Sequence, residues 1–244
     1  MSVGGARAVP SLQARGTLQR ELEITHPAHS RRMRLLLEIA GIFLLAPVLI
    51  RYAIFDWKIP LPLVLQPLLL GFILYLLWDP TFRLRSELST GFSWREFRSI
   101  LMIFVIAGGA LSVFVAMHLP MAFLNLPTSR PRFWGIILVF YSVFSVIPQE
   151  LIYRTFFFHR YGPLFGEARW LAILVNGLLF GFAHIIFGSY VSIVLTALLG
   201  FVVAWRYERA RSFWAAWFEH ALYGCLIFTI GLGYYFFTGV ASLP

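Results

Sequence analysis

A glutamate, an arginine and two histidines stand inside segments that are otherwise almost entirely apolar. Glu150 and Arg154 are four residues apart, and His184 and His220 each lie in a later apolar segment. Ionisable groups at bilayer depth are energetically costly, so these positions are candidates for function. A carboxylate beside two imidazoles can activate a water molecule and stabilise an oxyanion, or it can bind a divalent metal ion such as zinc. Each of these chemistries suits the hydrolysis of an amide bond.

The segment with the glutamate predicts a helix with one polar side. Glu150 and Arg154, at positions i and i+4, share a helix face, and Gln149 belongs to a polar stripe beside it. Lipid offers no hydrogen bonds, so this polar side must face protein or a water-filled cavity. Considered alone, the two charges are equally well explained as a buried ion pair that only fixes helix packing.

The two histidines are also predicted to face inward. Gly177 and Gly181 form a G-x-x-x-G step that lets a neighbouring helix approach closely, and His184 lies on the same side. Small residues around His220 indicate a similar position. A structural histidine explains either residue alone, but a shared depth with Glu150 favours one common site. We expect Glu219 to be a solvated charge near the helix end.

The composition shows which elements must position these residues. The 244 residues are 59% hydrophobic and 13% charged, with a mean hydropathy of +0.78, which is typical of an integral membrane protein. A helix needs about 20 apolar residues to cross a bilayer. We therefore predict an all-α, polytopic transmembrane bundle of seven spans around an intramembrane polar cavity, or of eight spans if Pro148 splits the fourth. The predicted spans are Leu35 to Phe55, Ile59 to Trp78, Ile100 to Leu119, Phe133 to Phe158, Trp170 to Phe187, Tyr190 to Trp205 and Phe213 to Phe237.

The basic residues predict orientation and not a nucleic-acid surface. The net charge is +9, but the arginines fall in the gaps between apolar segments. Most of them lie on one side if residues 1–34 form a polar cytoplasmic tail. The lipid bilayer is therefore the predicted partner, nucleic acid is excluded, and a bacterial inner membrane is the expected location.

Three motifs then suggest a family. The chain reads Gln149-Glu150-x-x-x-Arg154, Phe180-x-x-x-His184 and His220-x-x-x-Gly224. In this order the motifs resemble those of the CPBP family of intramembrane endopeptidases, which includes type II CAAX prenyl proteases and bacteriocin-processing or self-immunity (Abi) proteins. Family members carry E-E-x-x-x-R, F-x-x-x-H and H-x-x-x-N, so this chain departs from the pattern at Gln149 and Gly224.

The resemblance implies an intramembrane endopeptidase that acts on a membrane-associated, CAAX-like or bacteriocin-like peptide. Together with the composition, it divides the chain into three predicted segments: the polar tail over 1–34, N-terminal transmembrane helices over 35–131 and a CPBP-like catalytic core over 132–238. Because Gln149 cannot accept a proton, we expect Glu150 to activate the water, with Arg154 orienting Glu150. His184 and His220 would position the water and stabilise the oxyanion, with Gln149 assisting.

Two questions stay open at the level of sequence. The family has been described both as metal-dependent and as glutamate-type, so zinc bound by Glu150, His184 and His220 is one alternative to catalysis without a metal. The changes at Gln149 and Gly224 also allow a catalytically inactive binding or immunity protein of the same family. A small transporter is a further alternative, because buried ionisable groups also mark ion paths.

Overall fold

Long apolar segments fold as helices because a helix satisfies its own backbone hydrogen bonds where lipid cannot. The computed structural model describes residues 29–79 and 82–237, and within these ranges it contains helices and no strand. Residues 1–28 of the predicted tail lie outside the described residues, and residues 29–34 are already helical. The helices are α1 (His29–Ile39, Ala40–Leu45 and Ala46–Phe55), α2 (Leu61–Trp78), α3 (Leu84–Ser89), α4 (Trp94–His118), α5 (Asn125–Ser129), α6 (Pro131–Phe165), α7 (Arg169–Phe187), α8 (Tyr190–Ala210) and α9 (Phe213–Thr229).

Five of the described helices, α1, α4, α6, α7 and α8, are long and apolar enough to cross a membrane. These five correspond to predicted spans. The other two predicted spans fall on α2, whose apolar part is the shorter Leu63–Trp78, and on α9, which has 17 residues. The described structure therefore supports an integral membrane protein with five candidate spans.

Helix α6 is continuous over 35 residues, so the alternative of a split at Pro148 is not observed. Two π-helical turns, Tyr141–Val146 and Leu151–Phe156, flank the short α-helical segment Ile147–Glu150. Pro148 lies at the start of that segment, so its missing N–H falls where the hydrogen-bond pattern is already changing. π-helical turns inside α-helices occur frequently at functional sites.

Aromatic rings hold the C-terminal half of α6 against α1. Phe43 is fully buried and makes edge-to-face contacts with Tyr153, Phe157 and Tyr161, with ring centroids 5.2, 5.6 and 6.0 Å away. Such pairs contribute about 0.5–1.5 kcal/mol each beyond the burial of apolar area. The packing against α1 therefore restrains the second π-helical turn of α6.

Helices α7 and α8 approach each other closely at small residues. A Cβ atom added to Gly181 would lie 2.6 Å from the Cβ of Ala197, and one added to Gly200 would lie 3.0 Å from the Cα of Gly177. The predicted role of the G-x-x-x-G step is confirmed, because larger side chains here would separate the helices.

Ion pairs join several helix ends on one side of the bundle. Arg160, near the end of α6, makes a two-pronged contact with Glu38 of α1 at 3.0 and 2.9 Å. Arg169, at the start of α7, contacts Glu208 near the end of α8 at 3.0 Å. These helix ends belong to segments that the arginine pattern assigns to one membrane face.

The prediction that Glu219 is a solvated charge is wrong. Its carboxylate is fully buried and accepts hydrogen bonds from Arg206 at 2.8 and 3.2 Å. Arg206 also donates to Ser99 at 3.3 Å, so α4, α8 and α9 meet at this pair. A burial of this kind requires a partner, and α8 supplies it.

Candidate active site

The α-helical segment between the two π-helical turns of α6 presents the acidic residue. Glu150 and Arg154 both have fully buried side chains, and the Nε atom of Arg154 lies 3.4 Å from an Oε atom of Glu150. The i, i+4 spacing therefore brings the two charges together. The pair alone is compatible with either a structural or a functional role.

Helix α9 adds His220 to this pair. The Nδ1 atom of His220 lies 2.7 Å from the other carboxylate oxygen of Glu150. An ionised carboxylate only accepts hydrogen bonds, so Nδ1 is the donor. In the neutral imidazole the Nε2 atom is then an acceptor, and the hydroxyl of Tyr141 lies 3.1 Å from it. The carboxylate thus fixes both the tautomer and the orientation of His220.

Behind Arg154 lies Asn176 of α7, which the sequence reasoning missed. Its side-chain oxygen accepts a hydrogen bond from Arg154 at 2.8 Å, and its side-chain nitrogen donates to the backbone carbonyl of Tyr153. Asn176 is fully buried. An amide in an apolar segment, eight residues before His184, was a signal in the sequence. A continuous polar chain therefore runs from Asn176 through Arg154 and Glu150 to His220.

His184 lies at the point where α7 changes from an α-helix to the 3₁₀ turn His184–Phe187. Its Nδ1 atom donates a hydrogen bond to the carbonyl of Phe180 at 2.7 Å. This bond fixes the tautomer with an unprotonated Nε2 atom, which makes no hydrogen bond to any described residue. His184 thus presents a free lone pair at the tip of its ring.

Phe180 is the packing element that relates the two histidines. Its ring centroid lies 4.8 Å from that of His184 and 5.3 Å from that of His220, both in edge-to-face geometry. The guanidinium of Arg154 lies 4.7 Å from the same centroid. Phe180 itself is fully buried, so the positions of both imidazoles depend on one rigid ring.

A cavity of about 500 Å³ opens beside these residues. Gln149, His184 and His220 line it, whereas Glu150 and Arg154 do not and have no exposed surface. Its walls are mainly apolar, with polar groups concentrated where the helices α6, α7 and α9 meet. The apolar lining is Leu61, Ile103, Ala107, Leu111, Phe187, Leu195, Leu198, Leu199, Val202, Ile227, Phe228 and Phe236.

The carboxamide of Gln149 faces this cavity. Its nitrogen donates a hydrogen bond to the hydroxyl of Ser145 at 2.8 Å, and its oxygen is buried without a partner among the described residues. A carboxamide nitrogen has two N–H donors, so one is still available.

The sequence reasoning missed Tyr141, which also lines the cavity, although it precedes Ser145 by four residues and Gln149 by eight.

The residues expected for a zinc site do not converge on one point. The described residues contain no group of three or more His, Cys, Asp or Glu side chains placed to hold a metal ion. Glu150 and the Nδ1 atom of His220 face each other at 2.7 Å, and the ring of Phe180 packs against both imidazoles. The donor set of Glu150, His184 and His220 therefore does not fit a common ion in this arrangement.

Comparison with known families gives one match. Residues 130–226 match the family model described as type II CAAX prenyl endopeptidase Rce1-like. This match supports the predicted assignment to the CPBP family. The matched segment is about two fifths of the chain and contains all three motifs and the residues of the site.

The family supports a CAAX-type intramembrane protease kind of function, and therefore a peptidase. A membrane-embedded protease of this kind implies a lipid bilayer and a peptide substrate as partners. Neither the curated proteins nor the solved structures gave a match to the chain.

Proposed function

We propose that this protein is an intramembrane endopeptidase that hydrolyses a peptide bond of a membrane-associated substrate, CAAX-like or bacteriocin-like in kind. One observation carries the proposal. An apolar cavity contains a histidine with a free Nε2 atom, and a second histidine held by a buried carboxylate lies in the same wall. Apolar walls suit a lipid-associated peptide, and the free Nε2 atom of His184 supplies acid–base chemistry.

In the proposed reaction, His184 is the base. Its Nε2 atom takes a proton from a water molecule, and the resulting hydroxide bonds to the carbonyl carbon of the peptide. The oxyanion accepts a hydrogen bond from the free N–H of Gln149. The proton on His184 then passes to the amide nitrogen as the C–N bond breaks, which gives a carboxylic acid and an amine.

Glu150 has a different role in this proposal from the one that its sequence position suggests. A carboxylate without exposed surface cannot contact a water molecule in the cavity, and its oxygens face His220 and Arg154. We therefore assign Glu150 and Arg154 to the positioning of His220. We assign the role of base to the imidazole of His184. The site residues are Glu150, His184, His220, Arg154 and Gln149.

The placement in the cell extends the same proposal. The helix ends that carry Arg160 and Arg169 lie together on one side with the start of α1. By the excess of basic residues in cytoplasmic segments, we place this side and the N-terminus in the cytoplasm of a bacterial cell, with the protein in its inner membrane.

Gln149 favours a second candidate function. It faces the cavity at the position where the family motif carries its first glutamate, and it cannot accept a proton. A catalytically inactive binding or immunity protein would retain the cavity and lose turnover. No feature of the described residues favours the small transporter.

The test compares His184→Ala with the wild-type protein. Both are expressed at matched levels, and new chain termini are identified by mass spectrometry of membrane and secreted proteins. The purified proteins are then assayed in proteoliposomes on the candidate peptides. His118→Ala is the matched control, because His118 makes the same bond to the carbonyl four residues earlier but is exposed and does not line the cavity.

We expect termini that are present with the wild-type protein and His118→Ala and absent with His184→Ala. Identical termini from a folded wild-type protein and from His184→Ala would instead identify the protein as the binding or immunity type.

A further inference from the structure

Tyr141 lines the cavity beside His220, and the proposed mechanism does not use it. Its hydroxyl lies 3.1 Å from the Nε2 atom of His220. Its ring packs edge-on against Phe228, with centroids 5.2 Å apart. Tyr141 opens the first π-helical turn of α6, where the local change in hydrogen bonding sets the direction of its side chain. Its phenol therefore occupies a fixed position in the cavity wall.

Gly224 is what makes room for this phenol. A Cβ atom added to Gly224 would overlap the ring and the hydroxyl oxygen of Tyr141. Gly224 lies four residues after His220 on α9, so a side chain there would point to the same region of the cavity. This is also the position at which the family motif carries asparagine. Tyr141 and a side chain at position 224 are thus mutually exclusive occupants of one space.

The hydroxyl is also connected to the buried charges. Glu150 accepts from His220 Nδ1 at 2.7 Å, and Tyr141 donates to the Nε2 atom of the same ring. Two successive hydrogen bonds thereby connect the phenol to the carboxylate of Glu150. When a stronger acceptor forms in the cavity, the hydroxyl hydrogen can turn towards it while the oxygen stays in place.

We propose that Tyr141 is a catalytic residue whose hydroxyl donates a hydrogen bond to the oxyanion of the tetrahedral intermediate, and that Gly224 is required to seat it. No proton is transferred in this role: the O–H bond stays intact and changes its acceptor from His220 to the oxyanion. The inference rests on the proposed peptidase activity. It assigns the oxyanion site to Tyr141 and Gln149 together.

The first test replaces the hydroxyl alone. Tyr141→Phe keeps the ring and its contact with Phe228, so the fold is preserved. We expect kcat to fall about 100- to 1,000-fold, with KM changed by less than about twofold, because the lost interaction forms only in the transition state. Tyr190→Phe is the control, because Tyr190 is exposed and does not line the cavity.

The second test measures whether Tyr141 and position 224 share one space. Gly224→Ala should lower the melting temperature and kcat in the wild-type background and should cost little in a Tyr141→Ala background. Gly109→Ala is the control, because a Cβ atom there meets nothing within 4 Å. The double variant Tyr141→Ala with Gly224→Asn should have a kcat at least about tenfold higher than that of Tyr141→Ala alone, because the amide then occupies the vacated space.

The outcomes separate this inference from the proposed function. Cleavage by the wild-type protein and His118→Ala, with full turnover by Tyr141→Phe, overturns the inference and leaves the peptidase standing. An equal loss from Gly224→Ala with and without Tyr141 also overturns it. If the wild-type protein cleaves no peptide and produces no new termini, the proposed function and the role of Tyr141 fail together.

Discussion

Replacing Glu150 by alanine removes the carboxylate on which the buried polar chain depends. In the wild-type protein this group accepts from His220 at 2.7 Å and lies 3.4 Å from Arg154, with both charged side chains fully buried. Loss of one member of a buried ion pair leaves the other uncompensated and typically costs about 3–5 kcal/mol. We expect Glu150→Ala to lower the free energy of unfolding by this amount.

The same change should reduce turnover independently of stability. Without the carboxylate, nothing fixes the Nδ1 proton of His220, so the ring can adopt the wrong tautomer or rotate. In the proposed site His220 holds the hydroxyl of Tyr141, so a displaced ring should cost about the 100- to 1,000-fold in kcat that loss of one oxyanion donor costs. Because the described structure places Glu150 outside the cavity, KM should stay within about threefold of the wild-type value.

A double variant separates the two effects. Glu150→Leu with Arg154→Met removes both charges, and the methionine side chain can keep a contact with the ring of Phe180. Apolar replacement of a buried ion pair is often neutral or stabilising. The oxygen of Asn176 loses its donor in this variant, which costs about 1–3 kcal/mol. We therefore expect the double variant to be more stable than Glu150→Ala and equally inactive.

The assays are unfolding in mixed detergent micelles, followed by circular dichroism, and peptide cleavage in proteoliposomes at matched protein concentration. Wild-type turnover in the double variant would refute the reasoning, because catalysis would then need neither charge. Wild-type stability in Glu150→Ala would show that the two charges do not depend on each other.

Three further results are expected. Glu219→Ala should destabilise the protein by about 3–5 kcal/mol through the unpaired charge of Arg206 and leave kcat and KM of the folded fraction unchanged; a large loss of kcat would show that this pair also serves the site. Asn176→Ala should lower the free energy of unfolding by about 2–5 kcal/mol, because a charged N–H and a backbone carbonyl lose their partner. Asn176→Asp should not restore full activity. Thermal unfolding and cleavage assays check both changes. Cleavage should continue after dialysis against a strong zinc chelator, because the imidazoles and Glu150 do not converge on one ion; inhibition that added zinc reverses would contradict this.

Much of the architecture follows directly from the sequence. The apolar segments are long compared with a bilayer and the polar ones are short, so helices and their approximate ends are determined by the solvent. The close approach of α7 and α8 was predictable from Gly177 and Gly181, because glycine has no side chain that would keep a neighbouring helix at a distance. The i, i+4 contact of Glu150 and Arg154 was predictable for the same kind of reason, since it depends on local helical geometry alone.

The inward orientation of His184 and His220 was predictable, but that of other groups was not, because it depends on local irregularity and on distant partners. The two π-helical turns of α6 change the register on either side of residues 147–150, so an ideal helix gives the wrong cavity-facing set. Gln149 faces the cavity, whereas the next residue, Glu150, is fully buried and does not line it. The burial of Glu219 depends on Arg206, which lies on a different helix and looks like an ordinary loop cation in the sequence.

The two departures from the family motif have related physical consequences. With Gln149 in place of a glutamate, no carboxylate is among the described residues that line the cavity, and the acidic group lies behind His220, where Arg154 balances its charge. Burying a neutral polar group in the wall of an apolar cavity costs less free energy than burying an ionised group. In the proposed mechanism, an imidazole therefore activates the water and neutral donors stabilise the oxyanion. The small residue at Gly224 admits such a donor in Tyr141, so the departures together describe one consistent site with its charge kept out of the cavity.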